Sequence, residues 1–263
     1  MPLTLPASPQ EYPSSLMTLR LKKNISDDER HAEWARVVER IRTEQVNQAW
    51  SYYMFRLMRS VFAKNSTLSE EGGFIFNWVA QNYVDAALML LRRELDQQAG
   101  AENLRNLLFD IIEHPTVLTR ARYRASWGEE GLFDRELANE AFDSFNPKRV
   151  ADAHDADYID PDVVKSDLDQ VVTDAERLRE YAERTRAHRT PESKVDISEI
   201  TFEALHKAIS DVRRVIGKYY LLLTLKSTKW EPVPQFYAIA PFTRPWVLDP
   251  QGVAKAAEED GEE

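Results

Sequence analysis

The sequence predicts an all-α fold: an antiparallel bundle of four to five long helices, with short extra helices and an extended aromatic and proline-rich C-terminal segment. Three observations carry this expectation. Four stretches place apolar residues at steps of three and four, the spacing of one helix face. Helix-start residues (serine, threonine or aspartate) stand ahead of the clearest of them. Only 8 glycines occur in 263 residues, too few for the tight turns of a many-stranded β fold. One-sided stripes of this length have to be buried against one another, most simply between antiparallel neighbours.

Residues 1–25 read as an arm, with Pro2, Pro6, Pro9 and Pro13 followed by the basic cluster Arg20, Lys22 and Lys23. Ser26 and Glu29 then form a capping box, in which the serine accepts from the amide three residues on and the glutamate reaches back. The helix it starts should cover about 27–64, with Trp34, Val37, Val38, Ile41, Val46, Trp50, Tyr53, Leu57, Met58 and Val61 inward. Gly72 and Gly73 mark a break. A second helix follows over about 74–98, with Ile75, Val79, Ala86, Met89 and Leu90 as its inner side and Gly100 as its stop. Residues 103–112 make a short apolar helix ended by Pro115, and 116–160 are less regular, with a helix near 133–145. Asp160-Pro161-Asp162 starts the third long helix, which carries Val164, Leu168, Val171, Ala175, Leu178 and Ala182 and ends near Ala187. The fourth, capped by Ser198 or Thr201, carries Phe202, Leu205, Ile209, Val212, Ile216, Tyr219 and Leu223. After Thr228 prolines alternate with Trp230, Phe236, Tyr237, Phe242 and Trp246, a run too aromatic to stand free of the bundle or a partner. The expected organisation is an arm over 1–25, a bundle domain over 26–228, and an extended segment over 229–263 with an acidic end.

Composition limits the function. Hydrophobic residues make up 43% and charged residues 30%, which describes a globular chain. The absence of cysteine excludes disulfides, thiolate zinc sites and thiol nucleophiles, and suits a reducing compartment. No apolar run approaches the roughly 18–20 residues that span a bilayer, and the first residues lack the basic and apolar blocks of a signal peptide. A cytoplasmic protein with no membrane partner is expected. The net charge of -10 argues against a generic nucleic-acid coat and leaves room for a local cationic site.

Few motifs carry chemistry. A di-iron bundle needs two Glu-x-x-His pairs, and only Glu203 and His206 fit. The loop with Asp152, His154, Asp155 and Asp157 lacks the glycine and distal glutamate of an EF-hand. Glycine-rich phosphate loops and the Gly-x-Ser-x-Gly elbow are absent. No metal and no cofactor is expected. There remains the end of the third helix, where Arg177, Arg179, Arg184, Arg186, His188 and Arg189 crowd together. Arg184 and His188 are four apart and share a face. Imidazole that moves a proton beside guanidinium that holds an anion suits phosphodiester chemistry. The same cations also suit a solvated helix end, with Glu180 paired to Arg184 and Glu183 to Arg186.

Three stretches together resemble the HEPN superfamily, in its AbiU-type abortive-infection branch. They are Phe76-Asn-Trp78 leading into 85–96 (DAALMLLRRELD), the following 103–108 (NLRNLL), and 178–189 (LREYAERTRAHR) ahead of the last amphipathic helix. The resemblance spans roughly residues 30–228 and rests on the order and spacing of short motifs. It implies a dimeric helical bundle and a metal-independent endoribonuclease of phage defence or of a toxin–antitoxin system. Partners would be RNA and a protein partner or antitoxin. By the same resemblance His188 would be the general base or acid and Arg184 would stabilise the phosphorane. Arg179, Arg186 and Arg189 would bind phosphate, and Arg93 and Asp96 would support them. The family's signature arginine falls on Ala182, a departure that leaves two readings: an enzyme in which Arg184 or Arg186 substitutes, or a non-cleaving module that binds protein or RNA.

Overall fold

A computed structural model describes residues 25–65, 73–127, 132–146, 157–183 and 201–233, with the side chains of 132–134 left aside. The fold is all-α: the described residues form seven α-helices and no strand. They are α1 (Asp27–Lys64), α2 (Gly73–Glu94), α3 (Leu104–Glu113), α4 (Arg120–Ser126), α5 (Leu132–Phe145), α6 (Pro161–Tyr181) and α7 (Phe202–Thr224). The chain forms two compact units. One comprises 1–45 with 84–230, and the other 46–83 with 231–263. The helices α1 and α2 each run from one unit into the other.

The starts are those the local chemistry dictates. Ser26 Oγ accepts from the Glu29 amide at 3.3 Å, and the Glu29 carboxylate accepts from the Ser26 amide at 2.9 Å. Asp160 caps α6, with Pro161 in its first turn, and Thr201 rather than Ser198 caps α7 by accepting from the Ala204 amide. At the far end of α7 Leu225 takes the left-handed conformation, φ 57°, and its amide closes on the Leu221 carbonyl.

In the first unit, α6 packs on both α3 and α7, α7 also meets α5, and α4 packs on α5. Every inward position expected of α6 is buried, from Val164 to Ala182, as is every one expected of α7 except Phe202, which is exposed. From α1, Trp34, Val37, Val38 and Ile41 are fully buried. The region 116–160 holds more structure than the sequence suggested. A 3₁₀ turn (Pro115–Val117) and α4 precede α5, and an isolated bridge joins Thr119 to Tyr158. The turn was hidden because Arg120 reads as a surface residue, yet it is buried between Asp143 and Asp157 with the Phe142 ring beneath it. Near the C-terminal end of α7, Gly217 faces Trp230, and a Cβ built at Gly217 would lie 3.8 Å from the indole, an ordinary contact.

The second unit contains an antiparallel hairpin of α1 from Val46 and α2 up to Tyr83. Its seam is aromatic. Phe55 stacks on Tyr83 with centroids 4.8 Å apart, and Phe62 meets Phe76 at 5.4 Å. Here two expectations are corrected. The buried residues on this half of α1 are Gln48, Ala49, Phe55 and Phe62, whereas Trp50 is 38% exposed and Val46, Tyr53, Leu57, Met58 and Val61 are only half-buried. On α2 the expected inner side faces outward: Ile75 is 50% exposed, Ala86 and Met89 are exposed, and Val79 and Leu90 are half-buried. The buried stripe of α2 and its exit is Tyr83, Ala87, Leu88, Leu91 and Leu95. Both helices are apolar on two sides, and periodicity alone does not say which side meets a partner.

Candidate functional site

The described part of the candidate site is where α2 ends, α3 begins and α6 ends, all within the first unit. The helix α2 stops at Glu94, four residues before the expected Gln98. The reason is a polar knot. Glu94 is buried and accepts from the Leu104 amide at 3.2 Å, at the open start of α3. Asn103 caps α3 and donates from Nδ2 to the Asp96 carbonyl at 3.1 Å. Asn106 donates to the carbonyls of Gln98 and Ala101 at 2.9 and 2.8 Å. Gly100 takes φ 79° in this turn, a conformation that costs glycine nothing. The two asparagines thus satisfy carbonyls that a longer helix would have paired with itself.

Charged side chains surround the knot. Arg36 bridges Glu33 and Glu102, and those two hydrogen bonds hold its proton more tightly than usual. Arg40 also pairs with Glu102, and Arg93 pairs with Glu44. Burial pushes the Glu94 carboxyl up to about 7, against the opposing pull of the Leu104 amide and Arg93. Asp96 accepts from the Gln98 amide at 3.1 Å. The candidate support residues Arg93 and Asp96 therefore face the α1 side and the local turn. It is the neighbouring Arg92, not singled out from the sequence, whose guanidinium reaches across to Glu183 on α6. The alternation of two arginines gave no signal of which would cross.

Arg179 lies half-buried in the last turn of α6. Residues 182 and 183 continue in a wider π turn. Ala182, on the signature position, is 0% exposed and continues the apolar stripe. Glu183 pairs with Arg92, and its expected partner Arg186 lies outside the described residues. Arg184, Arg186, His188 and Arg189 lie outside the described residues, as does the loop with Asp152, His154 and Asp155, whose last member, Asp157, is described beside Arg120. Glu203 and His206 sit in the first turns of α7, where the His206 ring lies 6.2 Å from that of Phe202.

One further cluster was not legible in the sequence. Asp110 on α3 is 0% exposed and receives both contacts of Arg30 Nη1, at 2.8 and 2.9 Å, and the Trp34 indole N–H at 2.6 Å. His114 Nδ1 lies 3.4 Å from its other side, one turn on. Asp110, Glu113 and His114 are the only acid–imidazole group among the described residues close enough to share an ion. Asp110 already has its charge answered by Arg30, so the arrangement serves first to fix α1 on α3. Comparison of the chain with protein-family models, with curated proteins and with solved structures gives no match.

Proposed function

We propose that this chain is a HEPN-like protein directed at RNA, acting as a metal-independent endoribonuclease in phage defence or a toxin–antitoxin pair. What supports the reading is a convergence of separated segments. Arg92, Asn103 and Glu183 belong to the three stretches that carry the resemblance, and the Asn103–Asp96 hydrogen bond and the Arg92–Glu183 ion pair join those stretches at one end of the bundle. The rest of the arginine- and histidine-rich run, from Arg184 to Arg189, follows at the next residue. In this reading His188 takes the proton from a ribose 2′-hydroxyl. The 2′-oxygen bonds to phosphorus as the bond to the 5′-oxygen breaks, the leaving oxygen takes a proton from water to become a 5′-hydroxyl, and Arg184, helped by Arg179, Arg186 and Arg189, holds the charge on the phosphorane. A homodimer would bring two such ends together into one cationic cleft.

The buried Ala182 favours a second reading, a non-cleaving module that captures a protein partner or RNA, because the signature position packs the core instead of offering a cation. One comparison separates the two. Wild type, Arg184→Ala and His188→Ala are incubated with a mixed RNA pool in chelator, and the product ends are mapped. Cleavage to 2′,3′-cyclic phosphate ends by wild type, lost in both variants, is the expected result. An inert wild type that still retains RNA or a partner, undiminished by His188→Ala, would overturn the nuclease and leave the module.

A further inference from the structure

The hairpin of the second unit has a face that nothing described covers. Along α1, Val46, Trp50, Met54, Leu57 and Val61 step by four, four, three and four, a complete second stripe beside the seam. Along α2, Ile75 and Trp78 occupy the equivalent side. Trp50, Met54, Ile75 and Trp78 are between 38% and 61% exposed. On each helix this stripe is displaced from the seam residues (Phe55 and Phe62, Phe76 and Tyr83) in the same rotational sense. Two antiparallel helices displaced in the same sense present those sides on one face of the hairpin. Two indoles and a thioether in one apolar face are more than scattered surface hydrophobes.

We infer that the occupant of this face is the chain's own C-terminal segment, with Phe236, Tyr237, Phe242 and Trp246 laid along the hairpin in extended form. Three observations select it. The first is where the described chain leaves off. Trp230 is held against Gly217 and beside Arg213, whose Nη2 donates to the Gln45 carbonyl at 3.1 Å. Gln45 is the residue from which α1 continues into the hairpin, so the segment departs near the foot of the face it would cover. The second is length. The stripe from Val46 to Val61 rises about 23 Å at helical pitch, and the residues from 234 to 246 reach about 40 Å when extended. Pro234, Pro241 and Pro245 bias the segment towards an extended form before it docks, and proline-rich segments suit aromatic-lined surfaces. The third is charge. The described hairpin residues 46–65 and 73–83 carry Arg56, Arg59 and Lys64 and no acid, in a chain of net charge -10. The segment ends in Glu258, Glu259, Asp260, Glu262 and Glu263.

The inference does not rest on the nuclease reading. The absence of native cysteine makes it directly testable in the full chain. Met54→Cys is combined with Ala240→Cys, and in a control Ala63→Cys, on the far side of the hairpin, is combined with Ala240→Cys. Both are treated with a short bismaleimide. The expected result is a link within one chain, several-fold more efficient from position 54 than from 63, with a yield unchanged by dilution. Adding Phe242→Ser and Trp246→Ser to the first pair should lower that yield several-fold and raise binding of an apolar dye. Links only between chains, falling on dilution, would assign the face to a second copy. Equal yields from 54 and 63, no link, or indifference to the serine substitutions would each overturn the inference.

Discussion

The two units use the same kind of helix in opposite ways. In the first, α6 and α7 bury the single stripe their sequences display, and even charged residues such as Arg30, Asp110 and Arg120 are taken inside with partners. In the second, the helices bury a narrow aromatic seam and carry a second apolar stripe that no described residue covers. Amphipathic spacing measures how apolar each side is. It does not report whether the protein supplies that side with a neighbour. A stripe with one apolar side could be read directly, and a helix with two could not.

The contrast can be broken most forcefully at Asp110. Asp110→Ala leaves the Arg30 guanidinium buried without its carboxylate and should cost about 3–5 kcal/mol, read as a lowered urea midpoint with little change in slope. Glu94 sharpens the same point through pH. Its folded carboxyl sits at about 7 against an ordinary 4.5. The folded state therefore holds a proton that the unfolded state has released, and stability falls as pH rises from about 4.5 to 7, then levels. The shift corresponds to about 3 kcal/mol at most. Glu94→Gln, which keeps an acceptor for the Leu104 amide, should flatten that slope and raise stability at pH 8. A Glu94→Gln curve as steep as that of wild type would remove Glu94 as the cause.

Ala182→Arg comes next. Forcing an arginine into a fully buried alanine site in the stripe of α6 should cost about 1–3 kcal/mol through overpacking alone, seen as a lower melting temperature whether or not RNA cleavage appears. The smallest effect is expected on the hairpin. Trp78→Ser removes an indole that is 61% exposed and that the docked C-terminal segment would cover, and should cost about 0.5–1 kcal/mol. Trp34→Ala in the bundle should cost about 3–5 kcal/mol. A change of less than about 0.5 kcal/mol from Trp78→Ser would mean that the hairpin face is open, against the docked C-terminal segment.

Much of the architecture was legible because the chain states it locally. The capping box at Ser26, the Asp160-Pro161 start and the unbroken stripe of α7 each depend on residues within a turn or two of one another. What was missed depends on residues far apart. The early end of α2 goes with Asn103 and Asn106, which donate to the Asp96 and Gln98 carbonyls of the turn that follows it. The helix α4 is held by an arginine whose partners lie 23 and 37 positions away in the sequence. At the candidate site, the crowding of cations before residue 190 was plain, but the choice of Arg92 over Arg93 as the one that crosses to α6 depends on the rotation of one helix against another, which no spacing rule contains.

Gly217 carries a quieter consequence. It sits inside α7, two turns before its end, where glycine gives up more chain entropy on folding than alanine would. Its space is usually explained by a neighbour pressed too close for any side chain. Here a methyl group would meet the Trp230 ring at an ordinary contact distance. The fold therefore keeps thermal headroom in reserve at that position. Gly217→Ala offers a way to make a more heat-tolerant chain without touching the cationic end of α6.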